Sequence, residues 1–122
     1  MNVLAARIAA AVGLLTVALG AFGAHVLKPL LTQHDMVTVW EKAVFYQGLH
    51  AVMLFLLASR NPLPKVAWWS FLLGIVLFSG SLYLLALTQI RELGYITPFG
   101  GVALLTGWAA LLIKPPTDTA KN

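Results

Sequence analysis

Four apolar runs, joined by short polar stretches, fill most of this 122-residue chain. They cover residues 3–27, 39–58, 66–87 and 97–113, with a short polar tail at 114–122. Each is close to the ~20 apolar residues a helix needs to cross a hydrocarbon core of ~30 Å. No water reaches the backbone there, so a spanning segment must satisfy its own N–H and C=O groups, as a helix does. The predicted fold is therefore all-α: an integral membrane bundle of four transmembrane helices in a single domain. Composition agrees. Hydrophobic residues make up 60% and charged residues 10%, against ~25% charged in soluble domains. The mean hydropathy is +0.86. The first run, with Arg7 and the sequence Ala21-Phe-Gly23, loosely resembles a signal peptide. It is long for a signal h-region, and its removal would leave three spans.

The second run is the one with an ionisable group well inside it. In Trp40-Glu-Lys-Ala-Val-Phe-Tyr-Gln-Gly-Leu-His50, a tryptophan expected at the water interface puts His50 ~15 Å deeper, near the midplane. Tyr46, Gln47 and His50 are three and four residues apart and share a face. Polar groups at such depth turn from lipid toward partners in the bundle. The third run carries Phe78-Ser-Gly-Ser-Leu-Tyr83, whose serines either bond back to their own helix or meet that face. The candidate intramembrane polar site is thus His50, Gln47, Tyr46, Ser79 and Ser81. Two roles fit it: a neutral histidine locking helix packing, or a proton carrier or substrate contact.

Small residues recur at helical spacing on three runs: Ala9, Gly13, Thr16, Gly20 and Gly23; Ser70, Gly74, Ser81 and Thr88; Gly100, Ala103, Gly107 and Ala110. In lipid such faces let backbones approach closely. Gly13, Gly20, Gly74, Gly100 and Gly107 are the expected helix-packing positions. Between the runs, residues 28–39 read as a polar loop with Pro29 as a breaker, and with His34 and Asp35 solvated. His25 points away from its stripe, toward solvent or the interface. Glu41 and Lys42 fall in the first turn of the second helix at headgroup level, Trp68 and Trp69 form an interfacial pair, and Thr97-Pro98 reads as an N-cap with proline following.

Several chemistries find no support. There is no cysteine, hence no thiolate metal site. Phosphate-loop, zinc-protease and nucleophile-elbow motifs are absent, and no paired carboxylates lie at membrane depth. No metal and no cofactor are expected: haem ligation by His25 and His50 would join residues at different depths. The net charge of +4 forms no basic stripe for nucleic acid and suits anionic lipid headgroups. Arg7, Arg60, Lys65, Lys114 and Lys121 fall on one side, and Lys28, Lys42 and Arg91 on the other, which places both termini in the cytoplasm. The functional expectation is a structural or accessory bundle protein, not an enzyme, with lipid and either its own copies or a larger membrane complex as partners. The alternative is a small transporter or proton-relay subunit built on the His50 face.

Five segments in order, Gly20-Ala-Phe-Gly-Ala-His25, Tyr46-Gln-Gly-Leu-His50, Phe78-Ser-Gly-Ser-Leu-Tyr83, Thr97-Pro-Phe-Gly-Gly101 and Gly107-Trp108, resemble the small inner-membrane proteins of the YgdD type. This is a domain-of-unknown-function family with eukaryotic relatives, and the likeness covers nearly the whole chain. It implies a compact four-helix protein of the bacterial inner membrane and assigns no activity and no catalytic residue. Gln89 stands where many members of that family carry glycine, so a local difference in the third loop is expected.

Overall fold

The computed structural model describes residues 1–117. The last part of the expected polar tail, with Lys121, lies outside them. Among the described residues every regular element is helical.

α1 (Val3–Ala24) starts where the Asn2 side chain accepts from the Ala5 N–H at 3.0 Å, satisfying one of the free donors of the first turn. α2 (Lys28–Gln33) is a short helix with Pro29 in its first turn. The segment expected to be a polar loop is thus partly helical. Pro29 does not break a helix; it opens one, because the first helical positions need no N–H. Leu31 of α2 is buried against Trp40 and Ala86. α3 (Val37–Ala58) begins earlier than residue 39, so Glu41 and Lys42 sit beyond its first turn.

α4 (Lys65–Gly74) runs through a π-helical segment, Ile75–Ser79, into α5 (Gly80–Thr88), and the three form one continuous rod. A 3₁₀ turn at Arg91–Tyr95 leads to α6 (Thr97–Ile113). The N-cap of α6 is Ile96, not Thr97. The Thr97 hydroxyl instead pairs with that of Ser81 at 2.6 Å.

The packing is antiparallel and sequential. Asn2 N–H donates to Ala58 O at 2.9 Å, while Trp40 reaches Leu19 at the other end of α1, so α1 and α3 run in opposite senses. The rod packs on α3, and α6 packs on α4 and the π segment. α1 and α6 are the flanks. Only 17% of the spanning window of each is buried, against 39% for Lys65–Thr88. Two apolar clusters result. The larger gathers Ala5, Ala9, Leu54, Leu57, Trp68 and Phe71; the smaller gathers Leu31, Trp40 and Ala86 at the opposite end.

Three helices are long and apolar enough to cross a membrane: Val3–Ala24, Lys65–Thr88 and Arg91–Ile113. α3 has the same 22 residues as α1 but falls outside that set, because Glu41, Lys42, Gln47 and His50 dilute its apolar content.

The expected glycine seams separate into two kinds. A Cβ on Gly100 would collide with the Phe78 backbone, one on Gly74 with Leu104, and one on Gly107 with the Phe71 ring. These glycines are what lets α6 lie directly on α4 and the π segment. A Cβ on Gly20 would come 3.4 Å from Val44, an ordinary contact, and one on Gly13 would meet nothing within 4 Å. The α1 stripe is therefore a tight seam where Ala9 is buried, where Thr16 meets Gly48 and where Gly23 lies against the Trp40 ring, and it is open at Gly13.

Candidate functional site

His50 lies on α3 facing α4 and α6, and is 2% exposed. The indole Nε1–H of Trp108 donates to its Nε2 at 3.0 Å. An indole nitrogen can only donate, so Nε2 must accept and the proton resides on Nδ1. Nδ1–H donates in turn to the Tyr46 carbonyl at 2.7 Å. One neutral tautomer thus satisfies both ring nitrogens. The ring sits among aromatics: Phe71 at 5.2 Å, Trp108 edge-on at 5.9 Å, and Tyr46 stacked at 6.3 Å between centroids. A cationic imidazole would turn its second N–H toward a group that is itself a donor.

Tyr46 takes part through its backbone carbonyl and its ring. The side chain is 36% exposed and leans on Phe78, with centroids 4.8 Å apart. Gln47, expected beside His50, turns the other way. Its Nε2 donates to Val12 O of α1 at 3.1 Å, and its Oε1 accepts from the Tyr83 hydroxyl of α5. The residue is thus the knot of three helices. Tyr83 in turn packs its ring 4.7 Å from that of Trp40. The single polar face expected on α3 is two separate constellations, because neighbours three and four residues from one another lie on either side of a helical stripe.

Ser79 and Ser81 form a third group. Ser79 closes the π segment, is buried, and donates to Ala43 O of α3 at 2.7 Å. Ser81 bonds Phe78 O at 3.0 Å and Thr97 on α6. A π turn carries an extra residue, loosening the local backbone ladder. Here the same segment carries the closest approach of α6, at Gly100.

Two tryptophans expected at the membrane interface, Trp40 and Trp68, are buried within the protein. Trp40 is 3% exposed, and its indole donates to Leu19 O at 2.9 Å. Trp68 is buried and donates to Leu54 O at 3.2 Å; its neighbour Trp69 is 58% exposed. Both buried indoles find acceptors across a helix interface, as a buried donor must. His34, expected in solvent, is half-buried with Nδ1 2.9 Å from Ala86 O, one of the last-turn carbonyls of α5. Gln89 has φ 57°, in the left-handed region, where glycine is the least strained residue.

Sequence reasoning missed Trp108, Tyr83 and Trp40 as partners. Nothing local marks them: Trp108 lies 58 residues from His50, and Tyr83 lies 36 from Gln47. Among the described residues no group of three or more His, Cys, Asp or Glu could hold a metal.

Residues 19–101 match the family described as "Protein of unknown function (DUF423)". A UPF0382 membrane protein of Staphylococcus haemolyticus is 49% identical over 105 residues, covering 83% of this chain and 85% of its own. The UPF0382 membrane protein YwdK of Bacillus subtilis is 44% identical over 106 residues, covering 82% and 85%. The UPF0382 inner membrane protein YgdD of Escherichia coli is 44% identical over 110 residues, covering 86% and 83%. No solved structure matches. With a family match over most of its length and relatives this similar across nearly all of theirs, the chain belongs to the DUF423 family of membrane proteins.

Proposed function

We propose that this chain is a four-span inner-membrane bundle with a structural or accessory role, joining its own copies or a larger membrane complex and catalysing no reaction. The observation that carries this reading is where the interior polar groups go. Ser79, Gln47, Trp40, Trp68 and Trp108 each spend a side-chain donor on a neighbouring helix. Such bonds fix helix positions, and a group that binds or transforms a solute must be free to leave its partner. A relay through His50 would require Nε2 to give up Trp108 at each cycle.

α3 serves as the fourth span in this reading. Its 22 residues reach ~33 Å, its polar side chains at depth turn inward, and Phe45, Val52, Phe55 and Leu56 form an exposed apolar outer face. The E. coli relative named an inner membrane protein supports that location.

The test is recovery in mild detergent at native expression level, with mass spectrometry for protein and small molecules. A stoichiometric protein partner or a defined oligomer is expected. A monomer without partners overturns the proposal. A specifically retained solute, together with liposome flux lost in His50→Ala, establishes the relay instead.

A further inference from the structure

α6 packs on α4 and the π segment, and it reaches α3 through the Trp108 indole, which bonds Nε2 of His50 at 3.0 Å. The close approaches of α6, Gly100 on Phe78, Leu104 on Gly74 and Gly107 on Phe71, hold by shape and carry no titratable group. The Trp108 bond is different in kind. The Nε2 lone pair that accepts the indole N–H is the one that would accept a proton. The indole has no lone pair to offer in return, so the bonded arrangement and a cationic His50 exclude each other. Nδ1 already carries its proton and donates it to the Tyr46 carbonyl at 2.7 Å.

Nothing packed around the ring takes up a second N–H. The groups that face it are Tyr46 on α3, Phe71 on α4 and Trp108 on α6. The π segment turns Phe78 onto Tyr46 and Ser79 onto the Ala43 carbonyl, and α5 directs Tyr83 to Gln47. α1 has one ionisable side chain, the exposed Arg7; α4 has Lys65 at its first residue; α6 has none. Among the described residues the carboxylates Asp35, Glu41 and Glu92 all stand toward the far end of the bundle.

The two partners differ in freedom. His50 is 2% exposed, whereas Trp108 is 40% exposed, so the indole has open surface to turn to. The pair also lies toward one end of the bundle. His50 is about 12 Å of helix rise from Ala58, and Trp108 is about 8 Å from Ile113. Water at that end comes within reach of Nε2 once the indole turns.

We propose that His50 and Trp108 form an acid-released latch: a proton from water, taken up at Nε2, displaces the Trp108 indole to the outer surface and frees the C-terminal half of α6 from α3. This rests on the reading of the interior bonds as helix locks and adds how one of them opens.

The test uses the full chain in lipid nanodiscs, followed between about pH 8 and pH 4, a span that brackets the ordinary histidine value. Indole N–H signals in nitrogen-15 NMR report the bond, with that of Trp108 assigned by its loss in Trp108→Phe. The chain has no cysteine, so spin labels on Leu56→Cys and Leu112→Cys, both exposed positions, report the α3–α6 distance. On acidification the Trp108 signal is expected to leave its bonded position, the ratio of released to bonded forms rising roughly tenfold per pH unit as for one proton, and the label distance to lengthen with it. The signals of Trp40 and Trp68, bonded to carbonyls, should stay in place. His50→Gln, whose side chain accepts the indole but takes up no proton, should keep the short distance throughout. Trp108→Phe, a second variant should the first not fold, should show the long distance already at pH 8 and no titration. A Trp108 signal that stays bonded down to pH 4 overturns the latch, as does a transition that survives His50→Gln, or one in which all the indoles move together as the protein unfolds. A latch that fails while His50 and Trp108 remain coupled in stability at pH 8 leaves the packing role of the pair standing; no coupling at pH 8 removes both.

Discussion

At the scale of single residues, the chain disposes of its buried polar atoms pairwise and over long sequence distances. His50 was visible from sequence because an ionisable residue within an apolar run stands out; its partner Trp108 was not, because an indole on another span carries no sign of which helix it will meet. The pairing has a measurable consequence. Trp108→Phe keeps an aromatic side chain but leaves Nε2 of His50 without a donor, and should lower stability by about 1–2 kcal/mol, the upper part of the range for interhelical bonds in membranes. Unfolding in mixed micelles, with the His50→Ala and double variants completing a cycle, measures it. A coupling near zero would make the contact incidental. Gln89 gives the opposite sign. Its φ of 57° strains any residue with a Cβ, so Gln89→Gly should stabilise by about 1 kcal/mol, despite losing a long contact of 3.5 Å to His34 O. A fall in thermal midpoint would show that this contact outweighs the strain.

At the scale of helices, hydropathy located the long helical stretches to within a few residues, because apolar content is a property of the whole segment. It was blind to the π segment, since a run of apolar residues reads the same at either helical pitch. It was also blind to α2, whose six residues are held by tertiary burial of Leu31 and not by periodicity. Small-residue spacing was a mixed guide. It found Gly74, Gly100 and Gly107, where α6 meets the rod, yet the same spacing in α1 leaves Gly13 facing open space, although Thr16 beside it packs closely on Gly48 of α3. Substitution separates the two cases. Gly100→Ala forces a methyl into the Phe78 backbone, which cannot step aside as a side chain would, and should cost about 1–3 kcal/mol. Gly13→Ala meets open space and should be neutral or stabilising by up to about 1 kcal/mol from helix propensity. Thermal unfolding of both in one detergent decides; equal losses would mean that the α1 stripe is packed after all.

At the scale of the whole molecule, the chain is asymmetric from end to end. Arg7, Arg60, Lys65 and Lys114 are at one end, and three cations offset by three carboxylates are at the other. The direction of that asymmetry was legible from sequence, because it needs only the order of runs and loops. The clustering of all described carboxylates at one end became spatial only with the antiparallel packing. A reporter fused after Lys114 is expected to read cytoplasmic, and one placed in residues 28–36 to read external; the reverse would invert the orientation proposed here.

The uneven ends also make the protein responsive to voltage as a rigid body. Among the described residues, the end that carries Arg7, Lys65 and Lys114 is the more positive, and it is drawn to the negative side of an energised membrane. Turning the molecule over against 100 mV would cost about 2.3 kcal/mol for each unit of that excess charge. The electrical gradient, once established, therefore acts as a standing restraint on which way the bundle faces, independent of any contact within it.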